Sequence, residues 1–536
     1  MHAFRFAALI LCAAALPLAA QHDDHAPDAG QLGRVVFPVT CAGDAPARFE
    51  QAMAVLHSFW WEQGASAFGA VLAADSGCAM AYWGLALNAW NNPFAGGPEG
   101  AMLTLGARAA ERGLALGGRT PREQGFLNAA GALYRDAATT TNAARLAAYA
   151  DTMARLYRDF PDDPEVAIYH ALSLVATASR TDTTFAPHRR AAAILNPLFA
   201  RFPTHPGLAH YIIHANDSPR LAHLGLDAAR RYARIAPIAP HAQHMPSHIF
   251  IRLGLWDETI ASNWKSYQAG VDFARARGVS TVAPHEFHAL DYAVYGYLQC
   301  GRDHEARRTV ALADSIGSAA LTNTLLGGYN GTAMAARVVL ERGDWAAAAA
   351  FPMRASQVPV VEALVRFTRG IGAARSGRTE QAKAEVARLD SIAASLAARD
   401  AYWAGIARIK ARAVEAWVRF AAGDTAGALA MARAAADTED VTEKHPVTPG
   451  ELLPARELEA DLHLAAGHYA AARAAYLATL EREPGRGRSV FGAARAAELA
   501  GDGDAARAGY RQYLELMAKA DGDRPELALA RAGIAR

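Results

Sequence analysis

From about Pro46 to the C-terminus, apolar residues recur three and four positions apart, and short clusters of Gly, Asp and Pro interrupt them. That spacing lays one apolar stripe along each segment and predicts a succession of helices joined by tight turns. No stretch keeps the two-residue alternation of a half-buried strand. Alanine dominates the apolar share while Val, Ile and Thr are diluted, which favours close-packed helices over sheet. The expected fold class is therefore all-α. Residues 21–45, polar and carrying Gly, Pro and Asp, read as a leader.

Periodicity is clearest near the C-terminus. Ala472, Tyr476 and Pro484 follow Gly467, and Gly501, Ala506 and Tyr510 repeat the same spacing about 34 residues later. The glycine permits a tight turn between paired helices, the alanine lets them approach, and the aromatic fills the gap to the next pair. These residues resemble the second helix and closing turn of the tetratricopeptide repeat. Comparable turn signals stand at Gly254 before Trp256, Gly301, Gly343 before Trp345, Gly377 and Gly423, with a fainter echo at Ala65, Phe68, Asp75 and Ala79. The resemblance, to an exported bacterial-type multi-repeat protein, implies a right-handed superhelical solenoid of antiparallel helix pairs. Its expected division is a signal peptide over 1–20, a leader over 21–45, a histidine-bearing array over 46–345 and C-terminal repeats over 346–536.

Hydrophobic residues make up 52% of the 536, enough to bury a large core. The formal net charge is +1 with basic residues scattered, so nothing provides the footprint needed to hold nucleic acid or an anionic membrane. Arg5, the apolar stretch Phe6 to Leu18, and the small Ala19 and Ala20 read as a secretory signal cut near Ala20. Leu11, before Cys12, is too large for a lipoprotein cleavage site, and the apolar run is too short to span a bilayer. A periplasmic or secreted chain starting near Gln21, with no membrane span, is expected. There Cys41 and Cys78 could bridge the start of the chain to the second hairpin, leaving Cys300 as a buried thiol. Sequence leaves that connectivity open, and three cysteines without a close pair argue against a thiolate zinc site.

In such a solenoid the first helix of each pair lines the concave face. First helices are expected near Pro164, Pro206, 241–246 and Pro284, with second helices from Pro219, capped by Asp217 or Ser218, and from Trp256. The histidines then fall on successive inner helices. His170 is on the first. His210 and His214 share one face of the second. His241, His244 and His248 lie on the third, where Pro246 disturbs the register, and His285, His288 and Asp291 on the fourth. Inner helices about 8 to 10 Å apart can converge side chains on one point.

Neutral imidazole is a common ligand for zinc and copper, and two histidines four apart on a helix form a bidentate arm. The metal expectation is an ion on His210, His214, His244 and His248. His285, His288 or Asp291 then add ligands or support them, and His170 and His241 line the same groove. Against it stands a set of hydrogen-bonded packing histidines, or a polar groove for an organic or peptide ligand. No Glu follows His210 as in the His-Glu-x-x-His metalloproteases.

Trp60, Trp61, Tyr82, Trp83 and Trp90 with His57 read as core, or else as a stacking wall for a ligand at the mouth of the groove. Asn88 to Pro93 read as a helix end and loop, in which Asn91 or Asn92 is the candidate for a binding role. Asn263, Lys265 and Ser266 follow Trp256 on an outer helix and read as solvent-facing or inter-helix bonding residues rather than catalytic groups. The two-proline segment Val441 to Pro449 is a connector that could also fold over the groove and present Lys444 and His445. His22 and His25, beside Asp23 and Asp24, could catch a metal adventitiously on a loose terminus. No phosphate loop, nucleophile elbow or dinucleotide fingerprint occurs in a fitting context. Two functional classes follow: an exported solenoid gripping a protein, peptide or small-molecule ligand, and a zinc- or copper-dependent enzyme or carrier.

Overall fold

The computed structural model describes residues 29–278, 284–318, 323–354 and 356–535. Among them every regular element is a helix and no strand occurs. The signal-like stretch, Cys12, His22 and His25 lie outside the described residues.

Neighbours along the chain pack as antiparallel pairs, as the tetratricopeptide resemblance implies: Ala45–His57 on Trp61–Ala74, Pro121–Tyr134 on Asn142–Asp159, Pro164–Ala176 on Ala186–Arg201, and onward to Gly487–Leu499 on Gly503–Leu516. At Gly467 and Gly501 the backbone has φ of +78° and +82°, a left-handed turn that glycine adopts without strain. The partner positions behave as packing demands, with Ala472, Tyr476, Ala506 and Tyr510 all buried.

Inner and outer helices differ in composition, and that difference positions the site. Pro206–Asn216, with its sequence Pro-Gly-Leu-Ala-His-Tyr-Ile-Ile-His-Ala-Asn, is buried all round. From Glu286 to Gln299 the helix Pro284–Gln299 is likewise buried at every residue. Their outer partners are amphipathic: Leu226–Ile235 buries only Ala228, Ala229 and Tyr232. A helix apolar on all sides needs neighbours on all sides, so the histidines it carries are enclosed with it.

The expected starts at Pro164, Pro206, Trp256 and Pro284 are the observed ones. The helix expected from Pro219 differs. A 3-10 turn over Ala222–Gly225 comes first, and the α-helix is Leu226–Ile235. Asp217 does not cap it, because Arg252 and His248 take its carboxylate. Around Pro246 the register survives better than expected. Helix Pro240–His244 runs through Met245, in helical conformation (φ −53°, ψ −35°), into Pro246–Arg252, where a proline at the first position needs no N–H partner.

The chain also folds back on itself. Trp256 Nε1–H donates to the Gly485 carbonyl (3.0 Å), Arg486 pairs with Glu341 (2.8 Å), and Gly487 N–H donates to Gln299 (3.0 Å). The C-terminal pairs therefore close against the ends of the central helices. Cys41 and Cys78 are joined in a disulfide with Cα atoms 5.0 Å apart, and Cys300 is a free buried thiol.

A paired histidine site

Three successive inner segments bring their imidazoles to one place. His210 and His214 come from Pro206–Asn216, His241 and His244 from Pro240–His244, His248 from Pro246–Arg252, and His288 from Pro284–Gln299. They sort into two triads, His210–His214–His241 and His244–His248–His288, in each of which one ligand atom per residue lies within 4.8 Å of the others. The four-residue spacing of His210 and His214, and of His244 and His248, gives each triad a pair from one face of one rod. His241, one turn before His244, turns instead to the first triad. Across the triads, the His241 and His244 rings are 6.1 Å apart and the His214 and His248 rings 6.4 Å. The two sites share a wall.

Proton positions in the second triad follow from the partners. Asn263 donates its Nδ2–H to the Thr259 carbonyl (2.8 Å), so its Oδ1 accepts from His244 Nδ1–H at 2.7 Å. His248 Nδ1–H donates to Asp217 Oδ2 at 2.8 Å. With both outer nitrogens protonated, the two neutral rings turn Nε2 lone pairs toward each other at 3.0 Å. Such lone pairs repel, and a cation between them converts the repulsion into two coordinate bonds. In the first triad, His210 Nδ1–H donates to the His57 carbonyl (2.7 Å), while its Nε2 stands 3.1 Å from Nε2 of both His214 and His241. Two nitrogens bound tetrahedrally to one ion at about 2.0–2.1 Å stand about 3.3 Å apart. The pairs at 3.0–3.1 Å are near that spacing, and the ligand atoms of each triad all lie within 4.8 Å of one another.

Burial holds these rings in the neutral form that coordinates metal. It pushes the pKa of His210 down to about 3 and those of His214, His241, His244 and His288 well below the ordinary value. His248 is also lowered by burial, against the pull of Asp217. Asp217 stays ionised: burial opposes this, but Lys444 at 3.7 Å, Arg252 at 2.9 Å and His248 hold its pKa well below the carboxylate range.

A third group of similar composition has a different economy of protons. His205 Nδ1 accepts from the Leu208 N–H, so its Nε2–H donates to Glu165 at 2.8 Å. His57 Nε2–H donates to the other carboxylate oxygen at 3.0 Å, while Nδ1 accepts from the Tyr211 hydroxyl at 3.0 Å. Every ring nitrogen has a partner already. His57–Glu165–His205 is a satisfied buried network, which stacks beneath the first triad and supplies the His57 carbonyl.

Aromatic rings enclose the triads. Phe59, in the left-handed region at φ 51°, stacks on His241 (5.5 Å) and meets His210 edge-on (4.4 Å). Tyr232 stacks on His210 and Phe94 lies 4.3 Å from His214. A bulky residue held at positive φ beside the site is strain maintained by its surroundings.

No protein-family model matches the chain, and no curated protein matches it. Similar solved structures include a human IFIT1 dimer with PPP-AAAA, 11% identical over 81% of this chain and 87% of that one, with a TM-score of 0.33. Another is the APC/C hetero-tetramer Cut9-Hcn1, 12% identical over 79% and 84%, with a TM-score of 0.27. Superpositions this loose transfer neither a site nor a ligand.

The remaining expected site residues scatter. His285 is 33% exposed, with its ring 6.3 Å from His241 and Nε2 4.0 Å from Glu62, so it stands at the rim of the first triad. His170 stacks on Tyr157 at 5.0 Å, away from both triads. Asp291 is fully buried against Arg337 at 3.0 Å. The two-proline segment does fold over the histidines: Tyr292, beside His248, donates to the Thr448 carbonyl, and Arg337 binds Thr448 and the Gly450 carbonyl. Lys444 comes in with it, its pKa pushed down to about 8 by burial. His445 instead packs on Trp403, and its Nδ1 accepts from the Val447 N–H. Three groups give no sign of a site role in the sequence: Asp217, Glu165 and Phe59. Of the outer-helix residues read as solvent-facing or inter-helix, Asn263 bonds His244 and Ser266 donates to the Pro240 carbonyl at 2.8 Å.

Proposed function

We propose that this chain is a metal-binding solenoid whose two tri-histidine sites hold a pair of zinc or copper ions. The carrying observation is the 3.0 Å approach of His244 and His248 Nε2 with both Nδ1 atoms committed to acceptors. Three protein nitrogens per ion leave a position open for a ligand, as in catalytic rather than structural sites. Export from the cytoplasm fits this reading, supported by the signal-like start and the Cys41–Cys78 disulfide. A small-molecule ligand of the solenoid is the second reading, and one observation favours it. A cavity of 1110 Å³ is lined by Val35, Gln51, Trp60, Arg231 and Phe273, and Trp60 adjoins the Phe59 that stacks on His241.

Metal analysis of untagged full-length protein tests the central claim. Two ions per chain are expected, falling to one in His214→Ala and one in His248→Ala, and to none in the double variant, with helical circular dichroism retained. Metal content unchanged in all three variants would remove the assignment.

A further inference from the structure

We infer that the paired site is a dicopper centre that takes dioxygen between its two ions, an inference that rests on the metal reading above. Charge is the first observation. All six ligands are neutral imidazoles, and no carboxylate belongs to either triad. Asp217 touches, of the six rings, only the far nitrogen of His248 and is already matched by Arg252 and Lys444. Two zinc ions would put four positive charges into a buried chamber with no anionic ligand, and burying uncompensated charge is strongly unfavourable. Two cuprous ions put in two.

Adjacency is the second observation. The triads abut, with rings across the shared wall 6.1 and 6.4 Å apart, so two ions held by them would be neighbours. Phe59, Phe94, Tyr232 and Tyr292 pack around the imidazoles. Such walls admit a small neutral molecule without a desolvation penalty and exclude hydrated anions. His241, part-exposed next to the rim residue His285, marks the side by which it would enter.

The step balances without any further reactant. Two cuprous ions held by the triads would each give one electron, dioxygen would accept both, and the products would be two cupric ions and a peroxide dianion, with no proton moved. The total charge of the chamber is +2 before and +2 after. A site made only of neutral ligands suits a reaction that leaves its net charge unchanged.

The test uses the full chain, stripped of metal, loaded with cuprous ion without air and then exposed to dioxygen. Expected are two coppers per chain, uptake of one dioxygen per two coppers, an intense near-ultraviolet charge-transfer band, and no electron paramagnetic resonance signal because the paired cupric spins couple. His288→Ala, which removes a ligand from the second triad only, should keep one copper and lose dioxygen uptake. Two coppers giving the full signal of isolated cupric ions would overturn the inference and leave the metal reading standing. So would zinc that binds at two per chain and displaces copper, or uptake that persists in His288→Ala. Absence of stoichiometric binding of either metal would sink both.

Discussion

Asp217 and Asn263 never touch the centre of the site, yet they determine which nitrogen of His248 and His244 faces it. Outer partners of this kind fix the tautomer and raise ligand basicity, and losing one typically lowers metal affinity about 10- to 100-fold. Asp217→Asn and Asn263→Ala should each show that loss in a chelator competition while retaining helicity. Loss of all metal at once, or none, would contradict a positioning role. Glu165 offers the contrast. Glu165→Gln leaves one buried His N–H facing an amide donor, a loss of about 1–3 kcal/mol for an unsatisfied buried group. Chemical denaturation should detect that cost, with two metals per chain unchanged. The histidines of the two sites were legible because spacing of four along a rod is a local property. Asp217 was not: preceding Ser218 and Pro219, it carries the local signature of a helix cap, and only the long-range approach of Arg252 and His248 takes its carboxylate elsewhere.

Among elements, the tight turns and small packing residues could be read directly, since a glycine turn and an alanine contact depend on neighbours a few residues away. The division of six histidines into two triads could not be read. It depends on how neighbouring helices are rotated about their axes, and Pro246 obscured that rotation. In the structure the proline occupies a first-turn position and the Pro240–Arg252 rod is nearly continuous, so His241 points to one triad while His244 and His248 point to the other. The segment from Glu443 to Gly450 has two anchors, Arg252 of Pro246–Arg252 on Glu443 and Arg337 of helix Leu325–Glu341 on Thr448 and Gly450, which is why a connector with no secondary structure lies fixed over the site. At the other end, the disulfide ties the extended start of the chain to helix Ala79–Trp90 across a sequence separation of 37. Closing a loop of that length limits the unfolded chain by up to about 4 kcal/mol. The Cys41→Ser, Cys78→Ser double variant should lose stability of that order in denaturant melts, with metal content kept. A midpoint equal to that of the parent protein would show that the bridge contributes nothing.

At the scale of the molecule, the chain encloses a large set of neutral histidines, and this sets its response to acid. His57, His210, His214, His241, His244, His248 and His288 all have pKa values lowered by burial. In the unfolded chain each would take up a proton near the ordinary value of 6.5; folded, His210 waits until about 3. The unfolded state therefore binds more protons throughout that window, and stability falls as the pH falls through it. Glu165 acts lower down. Its pKa sits at about 2, where His57 and His205 outweigh the effect of burial, so its contribution is present above the ordinary 4.5 and fades only toward 2. Acid lability between 6.5 and 4.5 thus belongs to the histidines. Thermal melts of the metal-free full chain should show a melting temperature that is flat above about pH 7 and declines steadily toward about pH 5. If the triads bind metal as proposed, saturating metal should add stability at neutral pH and give up that increment as protons compete for the same nitrogens. A melting temperature independent of pH over this range would mean that the imidazoles take up protons equally in the folded and unfolded states, and the enclosure of the histidines described above would be wrong.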